Sequence, residues 1–594
     1  MTDRHAWLVA CATAIGAWCA WPLPRAAAIA LILLVVLARA PWALGLATVV
    51  WASSAGATAL AALHAEPRVG SFEGVATLVN DPIPSAYGSR VDVRIEGRRY
   101  EARISGTPSS DVAPHLAGER MRVRGQFQPR PMDAPWLDAR HIAGRIAIKE
   151  ITGWSDAPVV YRFANGIRRA LGRGAMALPV DQRALYTGLV FGDDRAQTAL
   201  LADDFRAGGL GHLLAVSGQN VAFALAAAGP LLRRVSYRIR WPLALGVLVL
   251  FVAVTRAEPS VLRAAVMAAI ATGAVMRGRT ASGVRVLSFA VTGLLCVDPL
   301  LIRAVGFQLS VAASLGIIVG SRRVAVVLPG PLYLREALGV TIAAQLAVAP
   351  ISVVVFGGVP LASIPANMLA LPAAGPVMVW GLTGGVIAGF LHGPVATALQ
   401  LPTRLLLWWI VRIAAVAGRT PLGMLRLVHV VALSCVVGLV AAAAVARRAD
   451  LRIARILRAC AVTVGVVTLG SPFLASQYPA AAAGEVARGV WLWRNGAVVV
   501  EVDTTASSAE ALRSLRERDV GEIDVLVVRN TSATAAAVAR DLRSRYEPPV
   551  LWAPTRHQIR GASTPLIGEH LDLDGLTIDV VEAEDHVRVV VGGP

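Results

Sequence analysis

Long apolar runs separated by short basic loops constrain this chain more than any other feature. Between residues 210 and 475 they recur at about 210–232, 240–256, 260–277, 284–297, 303–320, 337–356, 376–391, 400–417, 428–446 and 457–475. Three more open the sequence, at about 6–22, 26–38 and 41–63. Most approach the ~20 residues that a helix needs to cross a hydrocarbon core. The second opening run is shorter, so a tight hairpin followed by a helix is an alternative there. The first run has the look of a leader peptide, but two apolar runs follow it and no small-residue cleavage site stands out, so it reads as a retained span. Charged residues make up 16% of the 594, against about 25% in soluble domains, and mean hydropathy is +0.59. Lipid must solvate most of such a chain. The sequence predicts a multi-pass α-helical protein of the cell membrane.

Two stretches break the pattern. Within residues 68–153, "FEGVATLVNDP", "SRVDVRIEG", "RRYEARISG", "GERMRVRGQF" and "GRIAIKEI" alternate apolar and polar residues between Gly, Pro and Asp. Period-two alternation with such punctuation predicts a small antiparallel barrel, and five strands in this length suit an OB-fold. The tail alternates strand-like and helix-like segments, from "GVWLWRNGAVVVEVDT" through "SAEALRSLRERDV", "EIDVLVVRN" and "ATAAAVARDLRSRY" to "PVLWAP", which reads as an α/β domain. The stretch 155–208 is mixed and amphipathic, as in helices lying on a membrane surface or on the barrel. "PLASIPANMLALPAAGP" (360–376) is too proline-rich for a clean span and reads as a broken or re-entrant piece. The expected organisation is 1–66 N-terminal helices, 67–153 barrel, 154–208 connecting helices, 209–476 membrane domain and 477–594 α/β domain.

The net charge of +18 is almost all arginine, Lys149 being the only lysine. Summed by segment, 68–153 carries about +3 and 485–594 about −5, so the positive excess belongs to the membrane parts and their loops. The basic loops 233–240, 277–285, 321–323 and 446–458 are expected to be cytoplasmic, which leaves barrel and tail outside. Cys11, Cys19, Cys296, Cys435 and Cys460 all fall in apolar runs without metal spacing and read as small buried hydrophobes.

One apolar run opens with unusual polarity. "GLGHLLAVSGQNV" holds His212, Ser217, Gln219 and Asn220, which a continuous helix would gather within an arc of about 160°. Such a face cannot meet lipid; it lines a bundle interior or an aqueous path, or makes helix–helix hydrogen bonds. Arg256, Ser260 and Arg263 in "RAEPSVLRAA" have spacings compatible with a shared helical face. Gln308 and Ser310, in a segment that also holds Arg303 and Ser314, and Asn367 in the broken piece add further polar groups. Each alone fits a structural hydrogen bond or a snorkelling arginine. Together they fit the lining of a wet pathway.

"GLGHLLAVSGQNV", "PSVLRA", "DPLLIRAVGFQLSVAA" and "PANMLALP" resemble, in this order, the signature blocks of the ComEC-type competence family. The resemblance covers the external OB-like domain, the competence region at about 190–445 and the general form of the tail. His212 and Ser217 match the family pattern, whereas Gln219 and Asn220 stand where many members have Leu-His. The resemblance implies an inner-membrane channel that imports single-stranded DNA during natural transformation, served by an extracytoplasmic DNA receptor and a cytosolic DNA motor. It also implies that the tail is metallo-β-lactamase-like. Family members with a complete domain carry clustered histidines and aspartates after a strand like "IDVLVVRN", as metal-activated hydroxide requires. Here no His or Asp occurs from Val525 through Arg540, and His557, His570 and His586 are scattered. The domain therefore reads as a degenerate, metal-free remnant; no cofactor and no enzyme activity are expected. The family's frequent OB-domain disulfide has no counterpart, since 68–153 contains no cysteine.

The resulting expectation is a DNA pathway lined by His212, Ser217, Gln219, Asn220, Arg256, Ser260, Arg263, Gln308, Ser310 and Asn367. In the barrel, Arg94, Arg98, Arg99, Arg122 and Arg124 are expected to meet phosphates. Tyr100 is expected to contact bases, with Phe72, Tyr87, Phe127 and Trp136 as further platforms. Two other classes stay open: a solute or lipid-linked transporter with a sensing ectodomain, and a membrane enzyme using His212 and Ser217. Against the first, no clear internal repeat is visible. Against the second, no acidic residue stands near to orient the histidine.

Overall fold

The computed structural model describes every residue except 1, 39–40, 66, 86–87, 132–133, 281, 421, 447–450, 478–479, 556–558 and 593–594. Tyr87, His557 and part of the basic loop 446–458 lie outside the described residues. The chain divides into two units. The first comprises 1–196, 212–348 and 370–410; the second comprises 197–211, 349–369 and 411–594.

Among the described residues, seven helices are long and apolar enough to cross a membrane: Leu44–His64, Pro259–Met276, Val305–Val327, Leu332–Phe356, Ser363–Ala388, Leu401–Arg419 and Leu451–Leu474. In the first unit, the helix Asp3–Cys19 packs along Pro41–His64 through small residues. A Cβ on Gly16 would lie 3.0 Å from the Val49 Cα, so the backbones touch where a side chain would hold them apart. The Trp51 indole N–H donates to the Cys296 carbonyl at 2.9 Å and ties this pair to Gly283–Val297.

The expected broken segment is continuous. Residues Ser363–Ala388 form one helix with Pro372 and Pro376 inside it. Pro365 falls in the first turn, where no intrahelical acceptor is needed. Pro372 and Pro376 are one turn apart, so both missing hydrogen bonds fall on one side and the helix carries on. It follows the small ladder of β7 (Val359–Pro360) and β8 (Met424–Leu425).

The β-rich insertion, also in the first unit, holds β1 (Gly70–Leu78), β2 (Ile83–Ser85), β3 (Gly88–Ile95), β4 (Arg98–Ile104), β5 (Arg120–Gln128) and β6 (Ile142–Ser155). Their pairings run β1–β5–β6–β4–β3, with β2 beside β3 and a further β1–β3 contact at Thr77↔Arg94 and Leu78↔Val93. Six strands therefore stand where five were expected. The β4–β6 pair is parallel, Glu101 facing Arg145, which corrects the all-antiparallel expectation. Alternation along single strands carries no information about the direction of a partner 40 residues away. Val91, Val93, Ile95, Ala102, Ile104, Met121, Val123 and Ile146 fill the interior.

In the second unit, the tail has a five-stranded sheet in the order β13–β12–β11–β10–β9, built from Ala482–Ala487 (β9), Val490–Asn495 (β10), Ala497–Val502 (β11), Val525–Val528 (β12) and Val550–Trp552 (β13). β11, β12 and β13 run parallel, while β9–β11 form an antiparallel meander. Helices Ser508–Glu517 and Ala533–Tyr546 cover one face. The other face packs on a second, antiparallel sheet of His570–Leu573 (β14), Leu576–Ala583 (β15) and Val587–Gly592 (β16). β11 and β12 are buried at every position and, apart from Glu501, apolar, which reflects this burial on both faces.

Candidate functional site

The polar motif is not one helix. His212 sits on a single 3-10 turn, Gly211–Leu213, and Ser217 is the N-cap of the helix Gly218–Arg234. Gly209, with φ +70°, turns the chain just ahead of the 3-10 segment. Gln219 and His212 are exposed, whereas Asn220 is 3% exposed. The Asn220 amide donates to the Leu189 carbonyl at 2.8 Å, and its oxygen accepts from the Ser217 hydroxyl at 3.1 Å. Asn220 therefore joins two helix ends inside the protein, with one amide N–H and one acceptor site engaged in that joint.

Three helices of the first unit meet at this point. The Ser260 hydroxyl donates to the Val216 carbonyl at 3.0 Å. Arg263, 5% exposed, donates Nε and Nη2 to the Ser310 hydroxyl at 3.0 and 2.9 Å and Nη1 to the Met267 sulfur at 2.7 Å. A Cβ on Gly218 would stand 2.8 Å from Arg263 Nη2, so the guanidinium abuts the start of the Gly218–Arg234 helix. Ser217, Asn220, Ser260, Arg263 and Ser310 thus form one cluster. Gln308 instead donates to the Ile302 carbonyl at 2.7 Å and closes its own helix start. Asn367 lies in the second unit, on the first turns of Ser363–Ala388, donating to the Ser363 carbonyl at 2.7 Å.

Arg256 departs from the expected shared face with Arg263. It precedes the helix, with φ +59° followed by Ala257 at +55°. Its guanidinium donates to Asp81 Oδ1 at 2.6 and 3.1 Å. Asp81, 7% exposed, also holds Arg168 at 2.5 Å and accepts from the Ala117 N–H at 2.9 Å. Arg168 in turn donates to the carbonyls of Phe191 and Val254 at 2.6 and 2.7 Å. Burial alone pushes the Asp81 carboxyl up, but the two arginines outweigh it and hold it below the usual carboxylate range. Burial pushes Arg168 down, offset in part by Asp81. Sequence reasoning missed Asp81 and Arg168. The signal was there: Arg168 falls between Ala164 and Leu171 on the buried stripe of the helix Val159–Ala175.

Further polar contacts lie where the β-insertion meets the bundle. His141 meets Asp298 at 2.9 Å, and Asp138 binds Arg130 at 2.5 Å and Arg303 at 3.5 Å. Arg303 lies on the 3-10 helix Pro299–Arg303, apart from the Val305–Val327 helix that carries Ser310.

Within the insertion, Arg94, Arg98 and Arg122 are exposed and Arg99 is half-buried. Arg124 is already neutralised by Glu73 at 3.0 Å and Glu150 at 3.3 Å. Arg94 and Arg99 are direct cross-strand partners, a like-charge pair that an anion would relieve. Tyr100 corrects the expectation: it is 3% exposed, its ring 4.8 Å from Phe127 in the core, and no base can stack on it. Phe127 shares that core, Phe72 lies beside it at 5.2 Å, and Trp136 stands in the open at 61% exposure.

In the tail, no group of three or more His, Cys, Asp or Glu side chains is placed to hold a metal among the described residues. His570 pairs with Asp579 at 2.7 Å, and His586 bridges Asn530. Glu501, 4% exposed at the end of β11, lies 2.9 Å from Arg529. Burial lifts its carboxyl to about 7, with Arg529 opposing and Asp503 adding to the rise.

These features define a polytopic membrane protein whose bundle carries a buried polar cluster and a β-rich insertion. Residues 189–450 match the family model for competence proteins. It is 26% identical over 339 residues to ComE operon protein 3 of Bacillus subtilis (strain 168), a match covering 54% of this chain and 43% of the relative. The match thus spans less than half of the relative's length. No solved structure matches.

Proposed function

We propose that this protein is the membrane channel through which single-stranded DNA enters the cell in natural transformation. The observation that carries the reading is the coincidence of the competence match at 189–450 with the cluster around Ser217, Ser260, Arg263 and Ser310. The ring of strand pairings, with its parallel β4–β6 pair, favours an OB-like barrel that receives the strand through Arg94, Arg98, Arg99 and Arg122.

Helix polarity supports an extracytoplasmic barrel. The ends at His64, Asp298 and Arg256 face the insertion, while Arg233, Arg234, Arg277 and Arg323 lie toward the opposite ends of their helices. Asp3 pairs with Arg285 at 2.7 Å, which groups the N-terminus with those basic loops. The tail domain, in this reading, is a degenerate metallo-β-lactamase-like module without a catalytic role, and it lies outside with the barrel. No Walker A motif occurs, so a cytosolic motor supplies the inward pull and an extracytoplasmic receptor delivers the strand.

The test is deletion of the gene in a transformable host. Uptake of labelled duplex DNA to the cell surface should persist while chromosomal-marker transformation falls to background, and the intact gene should restore it. Unchanged transformation in the deletion strain rejects the reading.

A further inference from the structure

The arginines of the buried networks have carboxylates: Arg168 and Arg256 share Asp81, Arg130 holds Asp138, and Arg545 holds Asp204. Arg263 is different. It is as buried as they are, yet it forms no ion pair among the described residues, and its hydrogen bonds go to a hydroxyl and a thioether. A guanidinium in a low-dielectric interior without a counter-charge is unfavourable.

Its surroundings make the imbalance larger. The start of the Gly218–Arg234 helix, a 17-residue element, lies against the guanidinium, and a helix N-terminus carries roughly half a positive charge. Ser217 stands in the N-cap position but does not cap the helix, because its hydroxyl is turned to Asn220. Gly218 lets the guanidinium approach the backbone of the helix start directly, since a Cβ there would collide with Arg263 Nη2 at 2.8 Å and the Ala264 methyl at 3.1 Å. Two positive poles therefore converge, with an uncapped helix start and the Ser310 hydroxyl beside them. Exposed Gln219 marks the approach.

We propose that Arg263, the uncapped start of the Gly218–Arg234 helix and Ser310 form a docking station for one phosphodiester group of the passing strand. The inference rests on the DNA-conducting reading and assigns its anion contact within the bundle. A planar guanidinium offers paired donors to phosphate oxygens, and a helix start adds backbone N–H groups aimed at the same anion. A permanent carboxylate beside Arg263 would neutralise the site and repel the next phosphate.

The experiment uses the full chain in nanodiscs and a fluorescent oligothymidylate, with a methylphosphonate oligomer of equal length as the uncharged control. Arg263→Gln should weaken phosphodiester binding about 10-fold or more and reduce the slope of log K against log salt by about 0.7, the share of one single-strand phosphate. It should leave methylphosphonate binding unchanged. The ligand-free variant should also melt a few degrees higher than wild type, because an uncompensated buried cation is gone. Arg263→Lys keeps the cation and should keep the salt slope.

Unchanged phosphodiester affinity and slope in Arg263→Gln overturn the station while leaving the channel reading in place. A wild-type chain that binds no oligonucleotide at low salt overturns both. A lower melting point in Arg263→Gln with an intact salt slope shows a structural tie to Ser310 and overturns the station. Stabilisation of wild type, but not the variant, by phosphatidylglycerol instead of oligonucleotide identifies a lipid headgroup site and overturns it too.

Discussion

Arg256 and Arg263 are seven residues apart and meet opposite fates. Arg256 leaves the helix through two left-handed residues and locks onto Asp81 of the β-insertion. Arg263 stays in the helix and faces only neutral partners. The difference separates two uses of a buried cation. A compensated arginine fixes a joint between parts of the fold, and its value is structural. An uncompensated one carries a stability cost that only a visiting anion removes.

Breaking the compensated side should give the largest effect. Asp81→Asn leaves Arg168 and Arg256 buried without their shared carboxylate, a loss of about 3–5 kcal/mol. The full-length variant should lose most of its monodisperse detergent-solubilised yield, read by size-exclusion chromatography. An unaffected yield would make this joint dispensable.

The second test moves to the tail, where Glu501 is a buried acid whose partner offsets burial only in part. Its folded carboxyl titrates near 7, above the usual 4.5 of a free glutamate. Between those values the folded form binds more protons than the unfolded one, so stability falls as pH rises. The penalty is absent below about 4.5 and complete above about 7, and amounts to about 3 kcal/mol. Hydrogen exchange of the β11 amides in the intact chain should accelerate over this range beyond the intrinsic pH dependence, and Glu501→Gln should remove the excess.

Asn220 sharpens the comparison at a smaller scale. Replacing it with leucine strands the Leu189 carbonyl and the Ser217 hydroxyl, costing about 1–3 kcal/mol. The variant should melt lower, in contrast to the expected rise for Arg263→Gln. The smallest effect belongs to Arg124. It is exposed and already paired with Glu73 and Glu150, so Arg124→Gln should leave the melting temperature near wild type. It should also leave oligonucleotide binding near wild type, while Arg94→Gln weakens binding.

What the sequence made legible follows the range of the interaction. The helices Asp3–Cys19, Pro41–His64 and Pro259–Met276 fall on the apolar runs, and β3, β4 and β5 fall on the alternating segments, because both patterns are local. The polar cluster was legible as residue types, and five of its members, Ser217, Asn220, Ser260, Arg263 and Ser310, do converge. Their roles were not legible. Whether an arginine is balanced depends on Asp81, 175 residues away from Arg256, and no window along the chain contains that pairing. The same limit hid the parallel β4–β6 ladder and the second sheet β14–β16. It also made two prolines one turn apart look like a break, when a single face of the Ser363–Ala388 helix absorbs them both.

One further joint lies within the second unit. The short helix Ala199–Ala207, whose sequence leads directly into Gly209 and His212, presents Asp203 and Asp204 to the tail. Asp203 pairs with Arg516, and Asp204 takes Arg545 at 2.5 Å, while Arg545 also donates to the Gly418 carbonyl at 2.6 Å. Deleting the last hundred residues would strand two carboxylates in an apolar setting, immediately ahead of the polar motif. The tail thus acts as a counter-ion for the segment that precedes the motif: its arginines balance charge that this segment cannot balance by itself.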